Sequence, residues 1–171
     1  MKKISHFMAL ALCLCLLPVF SLAASDTTTE YEVAGITYFV PDSWEGPIVD
    51  DIYTYFYANG RDDPFSGYLM IMDWNDPAML SSGNSDEELI QGTLDGMASS
   101  LGSELTSEPM DVNGQAGKYF FGNMALLGTL SMSGYVAVVD SSIISIVWVH
   151  PSNDEATLRE TLNGILGITA E

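Results

Sequence analysis

The segment SIISIVWV, Ser142 to Val149, places the tightest constraint on the fold. In an extended strand successive side chains point to opposite faces. Ile144, Ile146 and Trp148 therefore lie on one face, and Ile143, Val147 and Val149 on the other. A strand that is apolar on both faces has to be covered on both, which places it in the middle of a sheet with a layer packed on either side. Pro151 stops it. The preceding run, Leu130 to Val139, reads as a second strand, and the short Asp140-Ser141 joint predicts an antiparallel hairpin between the two.

Two helices can supply the covering layers. Ser85 to Leu101 opens with Ser85 and, three residues on, Glu88, the spacing of a capping box. Asp86, Glu87 and Glu88 suit the positive end of the helix dipole. Leu89, Ile90, Leu94, Met97, Ala98 and Leu101 recur at helical spacing. The closing segment from Ser152 repeats the pattern, with Ser152 and Glu155 as a second box, a stripe of Ala156, Leu158, Leu162, Ile165 and Leu166, and Gly167 as end cap. Asn113-Gly114 predicts a type I′ hairpin joining Glu108–Val112 to Gln115–Phe121. Further strands are expected over Tyr31 to Val40, ended by Pro41, over Ile48 to Ala58 and over Tyr68 to Trp74. The segment from Pro41 to Pro47 reads as a turn, and Asn59 to Gly67 as a loop. The expected fold is α+β: an α/β/α sandwich around a central antiparallel sheet, with one mid-chain helix and one C-terminal helix.

The N-terminus follows different rules. Lys2 and Lys3 precede an apolar run from Phe7 to Phe20, and the small residues Ser21, Ala23 and Ala24 follow. This is the layout of a secretory signal peptide over residues 1–24. The run falls short of the ~20 residues of a bilayer span, and Pro18 interrupts it; an anchor retained after export is the alternative. Leu12 and Leu14, before Cys13 and Cys15, are larger than the small residue that normally precedes a lipidated cysteine, which disfavours lipidation. Residues 25–30 read as a flexible lead-in and 31–171 as a single domain.

Cleavage would remove both cysteines and His6, and so every disulfide, thiol nucleophile and thiolate metal site. It would leave Arg61, Lys118 and Arg159 against 23 acids, a net charge of −20. Such a surface repels phosphate backbones and anionic membrane surfaces. His150, alone in the mature chain, makes His-based metal or nucleophile chemistry improbable. The sequence has neither a G-x-S-x-G elbow nor a phosphate-cradling glycine loop.

The opening G-I-T-Y-F-V-P-D-S-W, the mid-chain capped helix, the V-N-G-Q-A-G-K-Y hairpin, and the final strand and helix together resemble PsbP-like domains over nearly the whole mature chain. The resemblance implies an α/β/α sandwich. Roles in that family include extrinsic photosystem subunits, a Ran-binding import factor, secretion chaperones and many uncharacterised secreted bacterial proteins. These roles are binding roles, and no catalytic motif carries over. The resemblance thus implies a secreted, non-enzymatic binding or accessory module, whose partner would be a protein or a component of the cell envelope.

Three groups of residues can carry binding chemistry. Tyr53, Tyr55 and Tyr57 alternate on one strand face; exposed, they form an aromatic platform, and beneath a helix they are core. Arg61, Asp62 and Asp63 stand in the loop beside them. Asp73, Asn75 and Asp76 collect hard oxygens at a strand end, a candidate Ca2+ site for a calcium-binding accessory protein, although the EF-hand spacing is missing. No other cofactor is expected. Trp44 is expected to pack over a sheet edge, and the methionines from Met70 to Met132 are expected to fill core.

Overall fold

The computed structural model describes residues 27–63, 66–75, 77, 83–124, 130–140, 142–151 and 154–168. Nine strands and two helices follow in order: β1 (Thr28–Val33), β2 (Ile36–Pro41), β3 (Glu45–Asp50), β4 (Tyr53–Tyr57), β5 (Tyr68–Trp74), α1 (Asp86–Leu101), β6 (Leu105–Val112), β7 (Gln115–Met124), β8 (Leu130–Val139), β9 (Ser142–His150) and α2 (Glu155–Ile165). Strands β3 to β9 form one antiparallel sheet in the order β3-β4-β5-β9-β8-β7-β6. The fully apolar strand β9 occupies its centre, and Ser142 to Val149 are all buried.

Two cores flank this sheet. On one face Phe56, Leu69, Ile71, Tyr119, Tyr135, Ile144, Ile146 and Trp148 pack against Leu158, Leu162, Ile165 and Leu166 of α2 and against Ile36, Tyr38 and Val40 of β2. On the other, Phe120, Met124, Met132, Val136, Ile143, Val147 and Val149 pack against Leu89, Ile90 and Leu94 of α1. A leucine such as Leu162, with no exposed surface, contributes about 1.5–3 kcal/mol by leaving water.

Each helix is also tied to the sheet by one of the rare cations. Lys118 on β7 reaches Glu87 of α1 at 2.6 Å and donates to Gln91 at 3.1 Å. Arg159 on α2 meets Glu108 of β6 at 2.5 Å and lies 4.4 Å above the ring of Tyr119.

The architecture is the expected sandwich, with three differences in its parts. Tyr31 to Val40 is not one strand. It breaks at Ala34 and Gly35, whose φ angles are 46° and 79°, into a separate hairpin, β1-β2, that shares a face of the main sheet with α2. Thr28 to Glu30, expected as lead-in, belong to it and pair with Phe39 to Pro41. Ile48 to Ala58 likewise folds back at Asp51, with φ of 55°, to give the β3-β4 pair. Finally, α2 takes Asp154 as its N-cap, so the box expected between Ser152 and Glu155 is not what starts the helix; Ser152 lies outside the described residues. The Ser85 and Glu88 box on α1, the Asn113-Gly114 turn and the β8-β9 hairpin stand where the sequence puts them. Residues 1–24, where the sequence reading expects a signal peptide, lie outside the described residues. Among those described, no helix is long and apolar enough to cross a membrane.

Candidate partner-binding face

Cross-strand partners share a face of a sheet. Tyr53, Tyr55 and Tyr57 stand opposite Met72, Met70 and Tyr68, and these stand opposite Ser145, Val147 and Val149. The tyrosines therefore lie on the α1 face. However, α1 packs on β6, β7 and β8, at the other end of that face. Tyr53, Tyr55, Tyr57, Tyr68 and Met70 are each only half-buried as a result.

The rings form a continuous array. Tyr53 stacks on Tyr55 with centroids 6.0 Å apart, and Tyr55 on Tyr57 at 6.4 Å. Tyr68 leans on both Tyr55 and Tyr57, at 6.5 and 6.0 Å. Ile48 and Asp50 of β3 continue the face, opposite Tyr55 and Tyr53. Desolvation raises the pKa of Tyr55, with smaller contributions from Tyr53, Tyr57 and Asp50, and desolvation likewise raises that of Tyr68. These phenols stay neutral at physiological pH, as apolar rings that each carry a hydrogen-bond donor.

The loop beyond Tyr57 holds Arg61, Asp62 and Asp63. Arg61 and Asp62 are exposed, and the Arg61 backbone N–H donates to Glu45 at 2.8 Å. The loop continues the tyrosine strand at one end, as the sequence order requires. The candidate oxygen group is described only in part. Asp73 pairs with Ile144 and so faces the β1-β2 side, Asn75 is exposed beyond the strand, and Asp76 lies outside the described residues. Among the described residues no group of three or more His, Cys, Asp or Glu is placed to hold a metal ion.

Trp44 packs against the sheet, but over its central strand and not its edge: it stacks on Trp148 of β9 with centroids 4.7 Å apart. His150 also stacks on Trp148, at 5.5 Å, and desolvation lowers its pKa. Met72, Met124 and Met132 are core, and Met70, Met97 and Met110 are partly buried. Met79 lies outside the described residues.

Sequence reasoning missed a groove between the β1-β2 hairpin and the main sheet. It encloses about 320 Å³ and is lined by Glu32, Val33, Tyr38, Asp51, Ile52, Thr54, Ile71 and Asp73. Its parts lie in four strands and a turn, and no spacing connects them.

No protein-family model matches the sequence, and no curated protein matches it. Solved structures do match in three dimensions. Cyanobacterial PsbP (CyanoP) from Synechocystis sp. PCC 6803 superposes with a TM-score of 0.60 at 13% identity, over 83% of this chain and 91% of that one. PA94 from Pseudomonas aeruginosa, a protein of unknown function described as a putative regulator, superposes with a TM-score of 0.52 at 13% identity, over 84% of this chain and 96% of that one. With the seven-stranded sheet and its two helices, these superpositions show that the chain has a PsbP-like fold.

Proposed function

We propose that this protein is an extracytoplasmic binding or accessory module that docks a basic polypeptide segment on its tyrosine face. The observation that carries the reading is the stacked, half-exposed array of Tyr53, Tyr55, Tyr57 and Tyr68 at the end of the sheet that α1 leaves uncovered. Tyrosines supply large contact area at low entropy cost and are enriched in binding surfaces. A fold shared with a PsbP and with a putative regulator is consistent with an accessory role. The leader-like N-terminus supports a site of action outside the cytoplasm.

Charge selects the partner class. The chain carries a formal charge of −18, and Asp50, Asp62 and Asp63 border the array, so a segment bearing Lys or Arg gains both steering and cation–π contact with the rings. The sheet edges favour docking on a face over strand addition. β3 carries Pro47 and a register shift between Glu45 and Ile48, and β6 carries Pro109, devices that blunt an edge.

The test is titration of the isotope-labelled domain with matched basic and acidic peptides that contain aromatic residues, followed by NMR. We expect the basic peptides to perturb the amides of β4 and β5. Tyr55→Ser should weaken binding about tenfold, the scale of a 1.4 kcal/mol anchor, and leave the melting temperature within a few degrees. Equal binding of acidic peptides, or binding indifferent to Tyr55→Ser, would remove the tyrosine face from consideration.

A further inference from the structure

We infer that the tyrosine face reads a spacing: an extended polypeptide segment with two cationic side chains four residues apart and an apolar or aromatic side chain midway between them. This specificity rests on the docking role proposed above for that face, and it names the pattern the partner carries.

Three strands lay the face out as a grid. β3 brings Asp50, Ile48 and Glu45 opposite Tyr53, Tyr55 and Tyr57 of β4, and β5 brings Met72, Met70 and Tyr68 on the other side. The β3 column is thus acidic at both ends and apolar in the middle. Asp50 and Glu45 are exposed, and Ile48 is half-buried. Neither carboxylate forms an ion pair among the described residues. Glu45 is held at its end of the array by the Arg61 backbone N–H, which donates to Oε2 at 2.8 Å. Its Oε1 stays without a partner among the described residues.

The spacing follows from the register. Asp50 stands at Tyr53 and Glu45 at Tyr57, four residues further along β4, or about 13 Å at a rise of roughly 3.3 Å per residue. The three rings between them are 6.0 and 6.4 Å apart, close to the two-residue repeat of an extended chain. A segment laid along β4 therefore sets its residues i, i+2 and i+4 on Tyr53, Tyr55 and Tyr57 in turn. Cations at i and i+4 meet the carboxylates at the two ends and the rings beside them. The side chain at i+2 meets the apolar centre of Ile48, Tyr55 and Met70. An extended segment also shares the right-handed twist of β4 and keeps its register over all three rings, which a straight helix does not. Two cations adjacent in sequence point to opposite faces, so one of them misses the site. A preference for spacing is thereby distinct from a preference for positive charge. The charge of −18 opposes a second copy of this chain as the occupant.

The experiment is NMR titration of the isotope-labelled domain with two end-blocked peptides of one composition, Lys-Thr-Phe-Thr-Lys and Lys-Lys-Phe-Thr-Thr. A third, helix-forming peptide carries the same Lys, Phe and Lys at positions i, i+4 and i+8. We expect the spaced peptide to bind about tenfold more tightly than its isomer, the difference of one charge-assisted contact. Asp50→Asn and Glu45→Gln should each bring the two isomers to within about twofold, because one carboxylate then remains for either peptide to use. Glu45→Gln keeps an acceptor for the Arg61 N–H, and both side chains are exposed, so the melting temperature should not move. Equal affinity of the isomers, a preference that survives both substitutions, or tighter binding of the helical peptide would overturn the spacing. If Tyr55→Ser still weakens the peptides about tenfold in those cases, the docking face itself stands. Binding indifferent to Tyr55→Ser, or no binding of any peptide, would overturn the spacing and the docking face together. So would a dimer of the domain in sedimentation that Tyr55→Ser breaks, which would give the face to a second copy.

Discussion

At Gly134, in the middle of β8, the absent side chain makes room for the ring of Phe120. A Cβ at this position would stand 2.6 Å from Phe120 Cε1 and 3.0 Å from the carbonyl oxygen of Ile146. The ring is fully buried and the oxygen belongs to the central strand, so neither can retreat without disturbing the α1 core. We expect Gly134→Ala to destabilise the domain by about 1–3 kcal/mol, the usual cost of overpacking, read as a lower urea midpoint at unchanged slope. A neutral result would mean that Phe120 turns aside. The sequence gives no sign of this requirement, because a glycine in a strand is compatible with a bulge, an edge or a close approach. The alternation of Tyr53, Tyr55 and Tyr57 was legible, since a strand has period two whatever surrounds it. Their half-exposure was not, because it depends on where α1 lands.

At the scale of elements, α1 is anchored at its start and weak in its middle. Ser85 caps Glu88 and is capped in return, with the Ser85 N–H donating to the Glu88 carboxylate at 2.8 Å. Gly92 and Gly96 follow in the interior, and a Cβ at either would meet nothing within 4 Å. Both are on the exposed side of the helix, so neither serves a close approach. Each costs helix propensity and enlarges the unfolded ensemble without compensation from packing. Gly92→Ala and Gly96→Ala should each stabilise by about 0.5–1 kcal/mol, additively because no contact couples them, measured by chemical denaturation of the single and double variants. Destabilisation by either would show that this side of α1 meets another surface. The helix and its cap were readable from local chemistry alone, as were the Asn113-Gly114 turn and the central place of β9. The breaks at Ala34 and at Asp51 were not. Alanine is a poor left-handed residue, so Ala34-Gly35 carries half a turn signal, and Asp51 sits inside a run rich in strand formers. Tertiary packing chose those turns: only a folded-back β1-β2 pair can cover the part of the sheet that α2 leaves open.

For the whole molecule, charge sets the balance between stability and recognition. Twenty-three acids face five bases in the full chain, and after removal of the leader only Arg61, Lys118 and Arg159 would remain basic. Two of these are already spent holding helices to the sheet. Added salt acts on both kinds of interaction. It weakens the ion pairs of Lys118 and Arg159 seen among the described residues, but each involves at least one well-exposed partner and is worth about 0–1 kcal/mol. It also screens repulsion among carboxylates distributed over the surface, where separations are comparable to the ~10 Å Debye length at 0.1 M. The many repulsions outweigh the two attractions, so the melting temperature should rise between about 20 mM and 300 mM NaCl. A gain of 1 kcal/mol corresponds to about 2–4 °C in a domain of this size, within reach of a scanning fluorimetry series. A basic partner would respond in the opposite sense, because the same screening slows its approach to an acidic face. Stability rising while peptide affinity falls across one salt series is the signature of an acidic surface kept for recognition at the expense of the fold. A melting temperature that falls with salt would mean that the Lys118 and Arg159 ties carry more of the fold than their exposure suggests.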